Sequence, residues 1–339
     1  MNKLIVGIST LALTAFAATG AAAQEKLKVG VIATLSGPPA VLGQQLRNGV
    51  QLAVKSLGGK FGGRDVELVI VDDELKPDVA VTKAQALVDR DGVDFVIGPI
   101  FSNILGALMA PVTKSNAILI SPNAGTSNFA GKDCSPNFFV TSYQNDQVFG
   151  AAGKYAQDTG VKKVYLMAPN YQAGKDALNG FKSFFKGEVA DEVYVPLGHL
   201  DYSAELARIA AAKPDAIYVF LPGGMGVNFV RQFRQAGLAD RFKFLSAFTV
   251  DESTLPAQQD AAIGFLGGSN WAPNLDNPQN KKFVADYEKE FNAVPATYAF
   301  QAYDAALLID GALQLTKGNT KDKDALRAAL KKANFTSLR

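Results

Sequence analysis

The sequence predicts an α/β protein of two lobes, each a parallel sheet covered by helices. Three observations carry that prediction. At 339 residues the chain exceeds one ordinary core and fits two domains at roughly 100–200 residues each. Short, almost wholly apolar segments alternate with amphipathic ones, as strands buried on both faces alternate with covering helices. The alternation halts in a long polar stretch, Pro122 to Asn137, and then restarts.

The elements follow in order. Met1 to Ala23 reads as a secretory leader, with Lys3 as its positive start, Leu4 to Ala18 as its apolar run and Ala21-Ala22-Ala23 as its cleavage pattern. The apolar run falls short of the ~20 residues a spanning helix needs, so export to a bacterial periplasm is expected. Lys26–Ala33 is the first strand, and Val41–Ser56 a helix whose Leu42, Leu46, Val50 and Val54 recur every four residues. Gly58-Gly59 and Gly62-Gly63 turn the chain into the strand Val66–Val71. Helix Asp78–Asp89, strand Val93–Ile97, helix Ser102–Ser115 and strand Ala117–Ser121 complete the first series. The second series runs through strands Val164–Ala168, Glu192–Pro196, Ala216–Leu221 and Phe242–Ser246. Helices Lys175–Lys186, Ala204–Ala212 and Val227–Ala236 lie between them. Pro278–Phe291, Ala299–Leu315 and Asp322–Lys332 are expected to be helical.

Composition removes several function classes. Lys plus Arg is 34 and Asp plus Glu 32, which lacks the basic excess of a nucleic-acid binder. One cysteine, Cys134, excludes an internal disulfide and a multi-cysteine metal site. One histidine, His199, excludes a histidine metal cluster. No G-x-S-x-G, GxxxxGK[ST] or GxGxxG motif is present, so a hydrolase or nucleotide site has no support. Asp72-Asp73-Glu74 is the one tight acidic group at a strand end, and without a second cluster a solvated strand end is expected there rather than a hard-metal site.

In open parallel sheets ligands bind beyond the strand C-termini, so the segments after each strand are the informative ones. Ser102 opens a helix after Gly98-Pro99-Ile100-Phe101, a position that suits either a helix cap or an anion partner. The turn Ser121-Pro122-Asn123-Ala124-Gly125-Thr126 adds hydroxyls and free N–H groups at the neighbouring strand end. Together they are able to hold a carboxylate without a cationic side chain. In the second series Tyr171 and Phe248 follow strands.

The ordered stretches LSGPPAVLGQQLRNGVQLAV, GGRDVELVIVDDELKPDVAVTKAQALV, DFVIGPIFS, ILISPNAGTS, AAKPDAIYVF, FVRQFRQAGL and FNAVPATYAFQAYDAALLI resemble the type I periplasmic solute-binding proteins of the Leu/Ile/Val-binding group. The resemblance implies two Rossmann-like lobes joined by hinge segments, here residues 24–143 with 273–339 and residues 144–272. It implies capture of a small ligand, delivery to the membrane permease of an ABC importer, a monomer, no cofactor and no catalysis. Family members run on into a segment that crosses back to the second lobe, and this return is expected to be missing after Arg339.

The resemblance places the ligand carboxylate at Ser102 and at the Asn123–Thr126 turn, with Ala124 and Thr126 foremost. It places Tyr171 on the opposite jaw. Three departures bear on the ligand. The acidic residue that holds an amino acid's ammonium aligns with Phe248, a second tyrosine of that jaw falls around Pro222-Gly223, and a large aromatic aligns with Leu42. An ammonium buried without a partner is costly. The expected ligand is therefore an aromatic carboxylate, benzoate-type or phenylpropenoid, among Phe101, Phe129, Tyr171 and Phe248. An apolar amino acid or amide is the alternative, and it requires Asp251 or Glu252 to replace the missing acid. A sensor lobe is a further reading of the same fold.

Overall fold

The computed structural model describes residues 25–339; the expected leader Met1–Ala23 lies outside the described residues. The chain runs β1 (Leu27–Ala33), α1 (Ala40–Ser56), β2 (Lys60–Phe61), β3 (Arg64–Asp72), α2 (Pro77–Gln85), β4 (Phe95–Ile97), α3 (Ser102–Thr113), β5 (Ile118–Ser121) and β6 (Phe138–Val140). It continues α4 (Asn145–Asp158), β7 (Lys163–Pro169), α5 (Gln172–Phe184), β8 (Glu188–Val195), α6 (Ser203–Ala212), β9 (Ala216–Val219), α7 (Gly224–Gln235) and β10 (Lys243–Ala247). The last elements are α8 (Leu255–Gln258), β11 (Leu266–Gly268), α9 (Pro278–Phe291), α10 (Thr297–Leu315) and α11 (Lys323–Lys331).

Two sheets result, ordered β2-β3-β1-β4-β5-β6 and β11-β10-β9-β7-β8. Every pairing is parallel except the β2–β3 hairpin, closed by Gly62 and Gly63 at positive φ. One core joins the first sheet to α10 and α11, through residues such as Val31, Ile97, Leu119, Ile309 and Leu326. The second sheet is buried on both faces, by Phe149, Phe181 and Tyr218 on one side and Tyr165, Phe229 and Phe233 on the other. Strand order reverses between β1 and β4 in one sheet and between β7 and β9 in the other, which sets two switch-point crevices at the strand ends.

The chain passes between the sheets around residues 141–145 and again around 269–271. Near the C-terminus Arg339 donates to Ser142 O at 2.9 Å, and Leu338 packs with Trp271 and Phe300. Trp271 stacks on Phe300 with centroids 5.1 Å apart.

Several elements depart from the sequence expectation. Helix α4 was not foreseen, because Asn145–Asp158 is rich in Gly, Ala and polar residues and lacks a bulky apolar stripe. Its glycines serve close packing on α5: a Cβ on Gly153 would lie 2.0 Å from Phe181 O, and one on Gly180 would lie 2.6 Å from Asp146 O. Helix α2 ends at Gln85 and continues as a single wide turn, Ala86–Arg90. Strand β8 starts at Glu188, four residues before the expected Glu192, because an edge strand tolerates exposed acidic residues. The short strands β2, β6 and β11 carry too few residues to show a period.

Candidate functional site

A narrow cavity lies between the two sheets; of roughly 330 Å³ of space between its wall atoms, only about 20 Å³ admits a water-sized molecule, so the jaws are packed closely together here. Seven aromatic side chains line it: Phe101, Tyr143, Phe149, Tyr171, Phe220, Phe248 and Tyr298. Ile100, Ser102, Asn123, Ala124, Asn145, Ala173 and Pro222 complete the wall. Among the described residues no Asp, Glu, Lys, Arg or His lines it.

Each wall is set by its backbone. Gly98, at φ +140°, lets the chain leave β4 sharply; a Cβ there would lie 2.1 Å from Ile32 O. This exit places Phe101 and Ser102 at the first turn of α3, whose early N–H groups lack helical partners. After β5, Ser121 Oγ donates to Ala124 O at 2.7 Å and Asn123 Nδ2 donates to Ile100 O at 2.8 Å. The two turns are thereby fastened together, with Ser102 and Ala124 side by side on the cavity wall.

On the other sheet, Tyr171 precedes α5 in extended backbone, and Gly174 allows that helix to start against Pro169 O, 1.8 Å from where a Cβ would sit. Phe248 follows β10 at φ +53°, an unusual conformation for a bulky residue. The rings form a connected lining. Tyr143 stacks on Phe248 at 5.8 Å, Tyr171 on Phe220 at 6.3 Å, and Phe149 meets Phe220 at 5.0 Å. Burial pushes the hydroxyls of Tyr143, Tyr171 and Tyr298 far above the usual phenol range, so all three stay neutral. Tyr143 OH donates weakly to Asn123 Oδ1, at 3.4 Å.

Six of the sequence candidates therefore meet in one cavity: Phe101, Ser102, Asn123, Ala124, Tyr171 and Phe248. Four, Gly125, Thr126, Phe129 and Leu42, do not line it. Gly125 turns its N–H to Asn145 Oδ1 at 3.1 Å and packs its Cα against Tyr143 O. Thr126 lies past the cavity and lines a neighbouring groove with Phe129, its buried Oγ1 without a partner among the described residues. Leu42 is buried at the mouth, where it sits under Gly223.

The mouth is formed by two lips in contact. Pro38 and Pro39 from one lobe meet Gly223 and Gly224 from the other; a Cβ on Gly224 would fall 2.8 Å from Pro38 Cβ. The Asp72-Asp73-Glu74 group shapes the first lip. Asp72 Oδ1 accepts from Leu35 N at 2.8 Å, and Asp73 Oδ1 accepts from Thr34 Oγ1 at 2.6 Å. Among the described residues no group of three potential ligands is spaced to hold a metal ion.

Asp251 and Glu252 stay outside the lining. Asp251 Oδ1 accepts from Ser253 N at 2.9 Å, its Oδ2 has no partner among the described residues, and burial raises its pKa towards the neutral form. His199 packs edge-on to Tyr202 beside Glu205, and Cys134 is exposed. Neither belongs to the cavity.

Tyr143, Asn145, Phe149, Phe220 and Tyr298 were not foreseen as lining residues. Tyr143 and Asn145 sit in the crossing segment, and Phe149 on the unforeseen α4. Phe220 ends an apolar strand and resembles any core residue. Tyr298 comes from α10, far along the chain, and only the tertiary fold brings it to the cavity.

Comparison with known proteins places the chain. The family model described as periplasmic binding protein matches residues 26–339. A Leu/Ile/Val-binding protein homolog 6 from Brucella melitensis is 32% identical over 333 residues, covering 95% of this chain and 84% of the relative. A solute-binding protein of an ABC transporter from R. palustris, solved in complex with benzoate, aligns with a TM-score of 0.89 at 32% identity, over 93% of this chain and 88% of the other. A second R. palustris solute-binding protein, in complex with 4-hydroxybenzoate, aligns with a TM-score of 0.84 at 32% identity, over 90% and 84%.

Proposed function

The chain belongs to the periplasmic binding protein family, and from that premise we propose that it captures a small aromatic carboxylate of benzoate type between its lobes and delivers it to the permease of an ABC importer. The family and its solved neighbours are solute-binding proteins, not enzymes. Residues 24–143 with 273–339 form one jaw in this reading and residues 144–272 the other. The protein works as a periplasmic monomer, exported by its leader.

The single observation that carries the ligand assignment is the lining: seven aromatic side chains and, among the described residues, no charged one. An ammonium in such a cavity has no counter-charge and loses its hydration, which is costly. A carboxylate fares differently. It meets the Ser102 hydroxyl, the first turn of α3 and the Ala124 backbone, all of which donate. The ring then lies among Phe101, Tyr171, Phe220 and Phe248. The neighbours in complex with benzoate and 4-hydroxybenzoate support the same class.

The competing occupant is an apolar amino acid, favoured by the Leu/Ile/Val-binding name of the Brucella relative. It requires an acid in the cavity, and Asp251 is held in its own loop by Ser253. A thermal-shift panel on protein refolded free of carried-over ligand separates the two. Benzoate and 4-hydroxybenzoate are expected to raise the midpoint by several degrees at about 100 times their dissociation constant, through about 2.7 kcal/mol of linkage. Leucine, valine and phenylalanine are expected to leave it unchanged. A shift with the amino acids alone transfers the assignment to them.

A further inference from the structure

The hinge residue Asn145 links both jaws at the cavity. Its Oδ1 accepts the Gly125 N–H at 3.1 Å. Its Nδ2 donates to Ser102 Oγ at 3.2 Å and to Asp176 Oδ2 at 3.0 Å. Gly125 and Ser102 belong to one jaw, while Asp176 lies on α5 of the other. Asp176 Oδ1 is engaged by Gln172 Nε2 at 2.7 Å. Ser102, Asn145 and Asp176 are 4%, 3% and 6% exposed, so water does not substitute for these partners.

The orientation of the Asn145 amide is not arbitrary. A backbone N–H is only ever a donor, so the atom facing Gly125 is the oxygen. The opposite atom is then the nitrogen, and its two hydrogens point to Ser102 and Asp176. A serine hydroxyl carries one hydrogen and two lone pairs. One lone pair of Ser102 Oγ is taken by Asn145, and the hydroxyl donates to no other group among the described residues. The Asn145 oxygen, already turned to Gly125, does not compete for that hydrogen. The Ser102 hydrogen is left to point into the cavity.

We infer that Asn145 is a positioning residue that fixes Ser102 as a hydrogen-bond donor towards the ligand, so that the site selects an acceptor-only carboxylate over a neutral amide of the same shape. The inference rests on the carboxylate reading of the site and deepens it. Asp176 and Gly125 hold the amide, the amide holds the hydroxyl, and the hydroxyl meets the carboxylate. Asn145 belongs to the 144–272 jaw and Ser102 to the other, so this contact is made when the jaws are together. Polar sites reject ligands with the wrong hydrogen-bond pattern far more strongly than apolar sites reject a change of shape.

The test is a ratio of affinities, benzoate over benzamide, by calorimetry. Benzamide matches benzoate in shape but presents N–H donors at one of its two polar positions. Asn145→Asp places an acceptor against Ser102, turns the hydroxyl hydrogen away from the cavity and frees a lone pair towards the ligand. The wild-type ratio is expected to be at least 100. It is expected to fall at least tenfold in Asn145→Asp, and several-fold in Asn145→Ala, where Ser102 rotates freely. Asn145→Ala introduces no charge beside Asp176 and reads the same ratio if the aspartate variant fails to fold. A folded variant that weakens both ligands equally, with the ratio unchanged, overturns the inference and leaves the functional reading standing. Wild-type protein that binds no benzoate-type acid overturns both.

Discussion

Phe248 holds a left-handed backbone, φ +53°, that costs of order 1–3 kcal/mol for a bulky side chain and persists only where the surroundings over-determine it. Thr249 supplies that constraint. Its Oγ1 accepts from Leu221 N at 2.8 Å, and its carbonyl accepts from Gln258 Nε2 at 2.7 Å. The strain puts an aromatic face in the cavity where an amino-acid site needs an acid. Phe248→Ala is expected to weaken benzoate binding by about 10- to 100-fold, or ~1.4–2.7 kcal/mol, in a calorimetric titration. An unchanged affinity removes the ring from the ligand contact. A second residue sets a pH dependence. Asp304 on α10 is pushed up to about 6 by burial, although its oxygens accept from Ser337 Oγ and Leu338 N and Arg339 lies near. A carboxyl with a raised folded pKa binds its proton more tightly folded than unfolded, so stability falls as pH rises from about 4 to 6. Relative to Asp304→Asn, the wild type is expected to lose roughly 3 kcal/mol between pH 4 and pH 7, read from denaturant midpoints. A constant gap contradicts the assignment. At this scale sequence reading went furthest where a side chain follows a recognisable strand end. Ser102, Ala124, Tyr171 and Phe248 were accessible in that way. Thr126 lies in the neighbouring groove instead, and Tyr298 becomes a neighbour of the cavity only through tertiary packing.

The helix pair α4–α5 joins the hinge to the second sheet, and its interface is backbone against backbone. Gly150, Gly153 and Gly180 allow that approach. Gly153→Ala sets a methyl 2.0 Å from Phe181 O, a contact that no rotamer change relieves. It is expected to destabilise the protein by about 1–3 kcal/mol despite alanine's better helix propensity. A stabilising effect in a urea melt contradicts the packing. The same glycines hid α4 from the sequence, because close helix packing removes the large apolar residues whose period marks a helix. The apolar strands β1, β5, β7 and β9 carried a stronger signal, since burial on both faces leaves mostly apolar segments such as ILIS and AIYV. Edge strands β8 and β11 were blurred for the opposite reason: half of each faces water.

Across the whole molecule, two switch-point crevices face each other and the lips Pro38-Pro39 and Gly223-Gly224 meet over them. A ligand that touches both jaws stabilises this arrangement by its differential affinity for the closed state. Gly224→Ala puts a methyl 2.8 Å from Pro38 Cβ and leaves the rest of the cavity untouched. It is expected to reduce benzoate affinity about tenfold and to leave the liganded protein with a larger radius of gyration in small-angle scattering, while the ligand-free melting temperature changes little. Equal radii and equal affinities separate the lips from closure. The function of the molecule turns on which small molecule the aromatic cavity takes. Calorimetric titration of refolded protein with benzoate and, separately, with leucine decides it. Saturable one-to-one binding of benzoate with no heat from leucine is the predicted result; saturable binding of leucine with none of benzoate contradicts it.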